Sequence, residues 1–160
     1  MLAIGRKYDE YHNKIKDELA KAGKKYLYEK VKGEIIFPTR EEFIGGLADA
    51  KISVCVPSNI THPERAGTIE TMTIRYLQSM ISKCLIVGHA PAEMIQLFGY
   101  NPVVEIDYEH PTEQLTDILN NYEKYIPLIE KNYHQVIENH TWENRWKQIK
   151  GIFADIANNQ

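Results

Sequence analysis

The side chains that could do chemistry in this sequence gather between residues 61 and 78, in the segment THPERAGTIETMTIRYLQ. Glu70 carries a carboxylate, Arg75 carries a guanidinium group one helical turn further on, and Gln78 carries an amide eight residues after Glu70. A guanidinium group neutralises phosphate oxygens, whereas a carboxylate or an amide can hydrogen-bond hydroxyl groups. An anion with a polyol on either side describes a nucleotide-sugar, so the spacing indicates a site for such a ligand.

A helix that begins just after Glu70 would add backbone donors to this site. Thr71 or Thr73 is expected to cap the helix, and the free N–H groups of its first turn would then face the cleft and bind a phosphate. Arg6, on a neighbouring loop, is expected to neutralise a diphosphate together with Arg75. The predicted site thus combines two guanidinium groups with a helix N-terminus.

Strands and helices alternate around this segment. The predicted strands are 2–5, 52–56, 84–87 and 103–106, with short strands or strand edges at 26–28 and 35–37. The predicted helices are 8–22, 39–47 with Thr39 and Glu42 as a capping box, 73–82, 91–97, 112–125, a continuation to 139, and a last helix that Thr141 caps. This alternation predicts parallel βαβ units in an open, doubly wound α/β sheet, followed by C-terminal helices.

Ligands of such sheets bind beyond the carboxyl ends of the strands. Three polar loops leave those ends, at 5–7, 57–72 and 88–90. The middle loop is longer than packing alone requires, and long loops in compact domains are often functional. The third loop carries His89, which we expect to contact the ligand.

The totals limit the classes of function. A chain of 160 residues predicts one domain over 1–160. A net charge of −3 indicates no whole-chain basic field for nucleic acid. No apolar run approaches the roughly 20 residues that span a bilayer, and no signal peptide is visible. Cys55 and Cys84 lie in apolar runs and are interpreted as reduced core residues of a cytoplasmic protein. No cluster has metal-ligand spacing.

The order of these segments resembles the C-terminal, donor-binding domain of glycosyltransferases with the GT-B fold, a Rossmann-like half of a two-domain enzyme. Glu70-x7-Gln78 is similar to the E-x7-E motif of the retaining members. TIETMTIRYLQSMISKCLIVG resembles a segment of the glycosyltransferase group 1 domains, especially their sporulation-protein-like branch. Further similarity lies in the first strand and its phosphate loop at 4–6, the helix and strand at 43–58, and the closing helix at 141–142. The resemblance spans nearly the whole chain.

The resemblance implies roles for individual residues. It implies that Glu70 approaches the donor hexose as the catalytic carboxylate, and that Gln78 takes the position that binds the ribose hydroxyls. It further implies a metal-independent diphosphate site, formed by Arg6 and by the main-chain amides of Met72, Thr73 and Ile74. Gln78 departs from the family's glutamate: it keeps an acceptor oxygen but loses the charge that makes such hydrogen bonds roughly twice as strong.

The second departure concerns size. GT-B enzymes have two such domains, and the acceptor and the usual catalytic base belong to the N-terminal one. This chain has room for one, so we expect a fragment of a longer transferase whose acceptor domain is missing. By itself it is expected to bind a nucleotide-sugar donor without turning it over.

Two other functions stay open. The first is a non-catalytic binding or assembly module on the same fold, with Gln78 as its mark. The second is a flavodoxin-like regulatory or redox domain, which needs an aspartate at a strand end or a flavin phosphate loop. Asp49 precedes its predicted strand and Asp107 follows the last one, so neither is well placed.

Some of these side chains also have ordinary structural interpretations. Glu70 would suit a helix N-terminus as an acid that compensates the helix dipole, and Arg75 would suit a surface ion pair. Glu64 and Arg65 are most simply a solvated loop pair. The two tryptophans at 142 and 146 are expected to pack in the core rather than to stack on a sugar.

Overall fold

The computed structural model describes residues 1–5, 7–31 and 33–158, so Arg6 lies outside the described residues. The strands are β1 (Leu2–Ala3), β2 (Leu27–Tyr28), β3 (Ile52–Cys55), β4 (Leu85–Gly88) and β5 (Val104–Glu105). The first helices are α1 (Asp9–Lys21), α2 (Arg40–Ala48), α3 (Ser58–Thr61), α4 (Pro63–Ala66) and α5 (Ile74–Ile81). The later ones are α6 (Ala92–Phe98), α7 (Pro111–Asn120), a 3₁₀ turn (Tyr122–Tyr125), α8 (Ile126–Asn139) and α9 (Trp142–Asn158).

All strand pairs in the sheet are parallel, in the order β2-β1-β3-β4-β5. The order reverses direction between β1 and β3, and the crevice at such a reversal is where open α/β sheets bind ligands. Residue Leu2 of β1 pairs with Ser53 of β3, and Gly88 of β4 pairs with Glu105 of β5. The predicted open parallel α/β sheet is thus confirmed.

The core lies on both faces of this sheet. Every residue of β4 is buried, as expected for a central strand that helices cover on both sides. Leu85 and Val87 pack in the cluster that includes α1 and α7, whereas Ile86 packs with α5, α6 and Val136 of α8. The sheet therefore fixes the starts of α5 and α6 at its carboxyl edge.

Helix α2 begins with the capping box that its sequence predicts. The Thr39 hydroxyl accepts a hydrogen bond from the backbone N–H of Glu42, and the Glu42 carboxylate accepts one from the N–H of Thr39. This reciprocal pair satisfies two amides that a helix start otherwise leaves free.

Three predicted element bounds were wrong. Residues 35–37 form no strand; Ile35 is exposed, and the Phe37 ring packs edge-on against Phe43 of α2 instead of entering the sheet. The loop at 57–72 contains the single-turn helices α3 and α4. The helix predicted at 112–125 ends at Asn120, and a 3₁₀ turn then leads to α8, whose first turn holds Pro127.

The prediction that Trp142 and Trp146 belong to the core was also wrong. Their side chains are 82% and 57% exposed, respectively, and no residue of α9 is buried. The periodic apolar pattern correctly predicted a helix with one apolar face, but that face remains exposed in the described part of the chain. Within the described ranges, no helix is both long and apolar enough to cross a membrane.

Candidate functional site

Glu70 lies at the carboxyl edge of the sheet, shortly before α5, and both of its carboxylate oxygens are engaged. Oε1 lies 2.7 Å from Nε2 of His89, and Oε2 accepts a hydrogen bond of 2.9 Å from the backbone N–H of Ala92 at the start of α6. The hydrogen bond from Ala92 lowers the pKa of Glu70 below its ordinary value, and His89 lowers it further. Glu70 is therefore an ionised carboxylate at neutral pH, held in one orientation while a quarter of its side chain stays exposed.

A second carboxylate lies on the other side of His89. Nδ1 of the ring is 3.1 Å from Oε2 of Glu105, whose Oε1 accepts hydrogen bonds from the Ala90 N–H and from the Asn101 side-chain amide. Pairing of Gly88 with Glu105 in the sheet brings this acid beside the residue that follows β4. The imidazole thus lies between two carboxylates, and only its doubly protonated form donates to both.

Tyr76 fixes α5 relative to these groups. Its side chain is fully buried, and its hydroxyl donates to the carbonyl of His89 over 2.7 Å and lies 3.3 Å from the carbonyl of Cys55. One phenol therefore joins α5 to the ends of β3 and β4. Burial raises the pKa of Tyr76, so its hydroxyl is protonated and donates at neutral pH.

The start of α5 keeps unpaired polar groups. Thr73 is the N-cap residue, yet its side chain does not cap the helix, and its buried hydroxyl has no hydrogen-bond partner among the described residues. The N–H groups of Ile74 and Arg75 likewise lack a partner in that part of the chain. The N–H of Met72 donates to the exposed carboxylate of Glu93, so an anion of the protein itself occupies one of the predicted diphosphate amides.

Arg75 extends across to the end of β1. Its guanidinium group donates to the carbonyl of Ile4, and a Cβ on Gly5 would lie 3.0 Å from Nη1. Within the described ranges, no carboxylate lies within ion-pair distance of Arg75. Gln78, almost one turn later, lines the same small cavity as Arg75, between β1 and β3. A guanidinium group without an acid partner therefore lies at the switch point of the sheet.

The predicted site residues thus fall into groups. Glu70 and His89 are in contact, and Arg75 and Gln78 line one cavity. Met72, Thr73, Ile74 and Gln78 also line a largely apolar groove of about 470 Å³ between α5 and the start of α9. Thr71 is exposed, and Arg6 lies outside the described residues. Glu64 and Arg65, interpreted as a loop pair, are 3.7 Å apart and exposed.

Glu105 and Glu93 belong to the site but were not predicted from the sequence. For Glu105 a usable signal exists, because an acid within an apolar run, near the carboxyl end of the last predicted strand, is unusual. Glu93 gave no comparable signal, because an acid in the first turn of a helix is common for reasons of the helix dipole.

Comparison with protein-family models, with curated proteins and with solved structures gives no match for this chain. In the described part of the chain, no three His, Cys, Asp or Glu side chains come together so that they could hold a metal ion.

Proposed function

We propose that this chain is the nucleotide-diphosphate-sugar-binding half of a GT-B glycosyltransferase, which transfers a hexose to an acceptor held by a second domain. The observation that carries the proposal is the pair of charges around the start of α5. A fixed carboxylate, Glu70, lies before this helix. Arg75, which has no acid partner among the described residues, lies at the β1–β3 switch point.

In this proposal the diphosphate binds to Arg75 and to the start of α5. Arg75 supplies a full charge, and the free N–H groups at the start of α5 supply the partial charge of a helix N-terminus. The unpartnered hydroxyl of Thr73 is a further donor. Glu93 is exposed and turns into water when the diphosphate takes over the N–H of Met72. In the whole enzyme, these donors stabilise the leaving diphosphate.

The sugar binds beside the Glu70 carboxylate. Glu70 accepts hydrogen bonds from hexose hydroxyls, and because His89 and the Ala92 N–H hold its oxygens, little ordering of the side chain is needed on binding. Gln78 lies just over one turn into α5 and lines the groove of about 470 Å³ there, where its amide accepts from ribose hydroxyls. Retention of configuration belongs to the same proposal through the E-x7-E-like spacing.

Calorimetric titration with UDP, GDP, ADP and CMP tests this function. We expect one nucleoside diphosphate to bind with a Kd between about 1 μM and 1 mM, and Arg75→Ala and Arg6→Ala to abolish detectable binding. Lys21→Ala is the matched control, because it removes one exposed positive charge at the other end of α1. Folded chain that binds none of the four, or that binds equally well after Arg75→Ala, would contradict the proposal.

Gln78 separates this function from a non-catalytic assembly module. If Gln78 contacts the ribose, Gln78→Glu should change the nucleotide affinity, and should increase it where the added charge meets the hydroxyls. If the chain is an assembly module, neither the wild type nor the variant should bind a nucleotide. Circular dichroism of the variant checks that the helix is intact.

The strand order is also that of flavodoxin-like domains. In those domains a phosphoacceptor aspartate or a flavin phosphate loop follows a strand. Asp49 here precedes β3, and Asp107 accepts hydrogen bonds from the backbone N–H groups of Glu109 and His110 just before α7. These positions favour the nucleotide-sugar site over a phosphoacceptor.

A further inference from the structure

Helix α9 presents a row of apolar side chains to solvent. The row consists of Trp142, Trp146, Ile149, Phe153 and Ile156, all between 41% and 82% exposed. Their separations are four, three, four and three residues, which is the a/d spacing of a coiled coil. Polar or small residues fill the opposite side of the helix. This row, called the seam below, therefore keeps a regular spacing from Trp142 to Ile156.

A helix of this kind needs a partner. Its 17 residues bury none of their side chains in the domain, whereas most of the stability of helices in proteins comes from packing of an apolar face. Gly151, in its middle, costs about 1 kcal/mol of helix stability relative to alanine. An exposed apolar row of this size is also typical of an interaction surface. Packing on another helix would bury the apolar face that the domain leaves exposed.

The charged residues that flank the seam indicate the identity and the direction of the partner helix. With Trp146 and Phe153 at a positions, Glu143 and Lys150 take e positions and Arg145 takes a g position. In a parallel pair, g faces e of the partner, so Arg145 would face the partner's Lys150, a repulsive contact. In an antiparallel pair, e faces e, so that Glu143 faces the partner's Lys150 twice by symmetry. Charge complementarity therefore favours an antiparallel pair of identical helices.

We propose that α9 pairs with α9 of a second copy of this chain, antiparallel, in a two-fold symmetric dimer. In the register that pairs Glu143 with the partner's Lys150, Trp146 packs against the partner's Ile149. Trp142 packs against the partner's Phe153. A shift by one heptad would instead place Lys150 beside the partner's Lys150.

The groove beside α9 fits this register. It has a volume of about 470 Å³ and is lined by Leu77 and Ile81 of α5, by Trp142 and by Ile74, which is 58% exposed. In the proposed register, the partner's Ile156 lies one layer beyond Trp142, toward this groove. The dimer thus covers apolar surface on α5 as well as on α9.

Sedimentation equilibrium of the chain over a range of concentrations tests the dimer. We expect a reversible dimer that Trp146→Glu converts to a monomer in which the buried thiols of Cys55 and Cys84 stay protected from thiol reagents, which shows that the domain remains folded. Gln148→Glu is the matched control, because it introduces the same charge two residues away on the polar side of α9 and should leave the dimer intact. A chain that stays monomeric up to about 100 μM would overturn the proposal, since a specific interface of this kind binds more tightly than that.

A charge exchange tests the direction of pairing. Lys150→Glu places two acids opposite each other in the antiparallel dimer, and we expect the dissociation constant to rise by roughly tenfold. The double variant Glu143→Lys with Lys150→Glu restores opposite charges and should return the dissociation constant to within about threefold of the original. In a parallel dimer, Lys150→Glu would instead face Arg145 and tighten the association, which would overturn the antiparallel arrangement. These measurements need no nucleotide, so they stand apart from the proposed function.

Discussion

The imidazole of His89 lies 2.7 Å from the carboxylate of Glu70 and thereby joins the residue after β4 to the loop before α5. The two groups are nineteen residues apart in the sequence. Parallel pairing brings β3 and β4 together, and the segments that follow both strands meet at the carboxyl edge of the sheet.

Loss of His89 should affect the sugar more than the diphosphate. His89→Ala removes the group that holds Oε1 of Glu70, so we expect weaker binding of a nucleotide-sugar and nearly unchanged binding of the corresponding nucleoside diphosphate. Paired calorimetric titrations measure the difference. His110→Ala is a control at an exposed histidine before α7. An equal loss for both ligands would argue that His89 supports the fold rather than the sugar position.

The ionised state of Glu70 should stabilise the protein above acid pH. Because folding lowers the pKa of Glu70 from its ordinary 4.5, this contribution is present above pH 4.5 and is lost as the pH falls through the lowered pKa. Glu70→Gln should therefore reduce the steepness with which the free energy of unfolding decreases below pH 4.5. Urea unfolding between pH 3 and 7 measures it, with Glu64→Gln as the control at an exposed loop acid. Parallel pH profiles for wild type and Glu70→Gln would refute the assignment.

A methyl group at Gly88 should not fit. A Cβ there would lie 1.7 Å from the carbonyl oxygen of Cys55, on the neighbouring central strand. We expect Gly88→Ala to destabilise the fold by more than about 3 kcal/mol or to prevent folding, because strand backbone cannot move aside cheaply.

Gly45→Ala is the matched control for that change. Gly45 lies in α2, and beyond its own helix backbone and chain neighbours no atom lies within 4 Å of an added Cβ. Alanine there should therefore stabilise the protein by about 0.5–1 kcal/mol through helix propensity. Thermal and urea unfolding measure the change in the free energy of unfolding, which should decrease in Gly88→Ala and increase in Gly45→Ala. Wild-type stability in Gly88→Ala would contradict the close approach of β3 and β4.

Both cysteines should be protected from thiol reagents in the folded protein. Cys55 and Cys84 are buried, and burial raises the pKa of Cys84 to about 12, so little thiolate forms near neutral pH. We expect slow reaction with a coloured disulfide reagent under native conditions and rapid reaction of two thiols in denaturant. Fast labelling of either thiol without denaturant would show that the central strands open readily.

The alternation of strands and helices was enough to predict the sheet and the segments that reach its carboxyl edge. That prediction depends on local periodicity, which the sequence carries directly. The position of Glu105 depends instead on its pairing with Gly88, a register that local pattern does not specify. Likewise, the spacing of Trp142 and Trp146 shows that one face of α9 is apolar but not what covers that face. For Phe37, packing on α2 outweighed an apolar run typical of a strand.

The Met72 N–H donates to the Glu93 carboxylate, so an anion of the protein already holds this donor. In the proposed function, a diphosphate would have to displace that carboxylate, and the electrostatic gain on binding would be the difference between two anions. We therefore expect a weaker affinity for a free nucleoside diphosphate than an unoccupied helix start would give. The carboxylate would take the donor back when the diphosphate leaves, which would favour release of the product over tight retention.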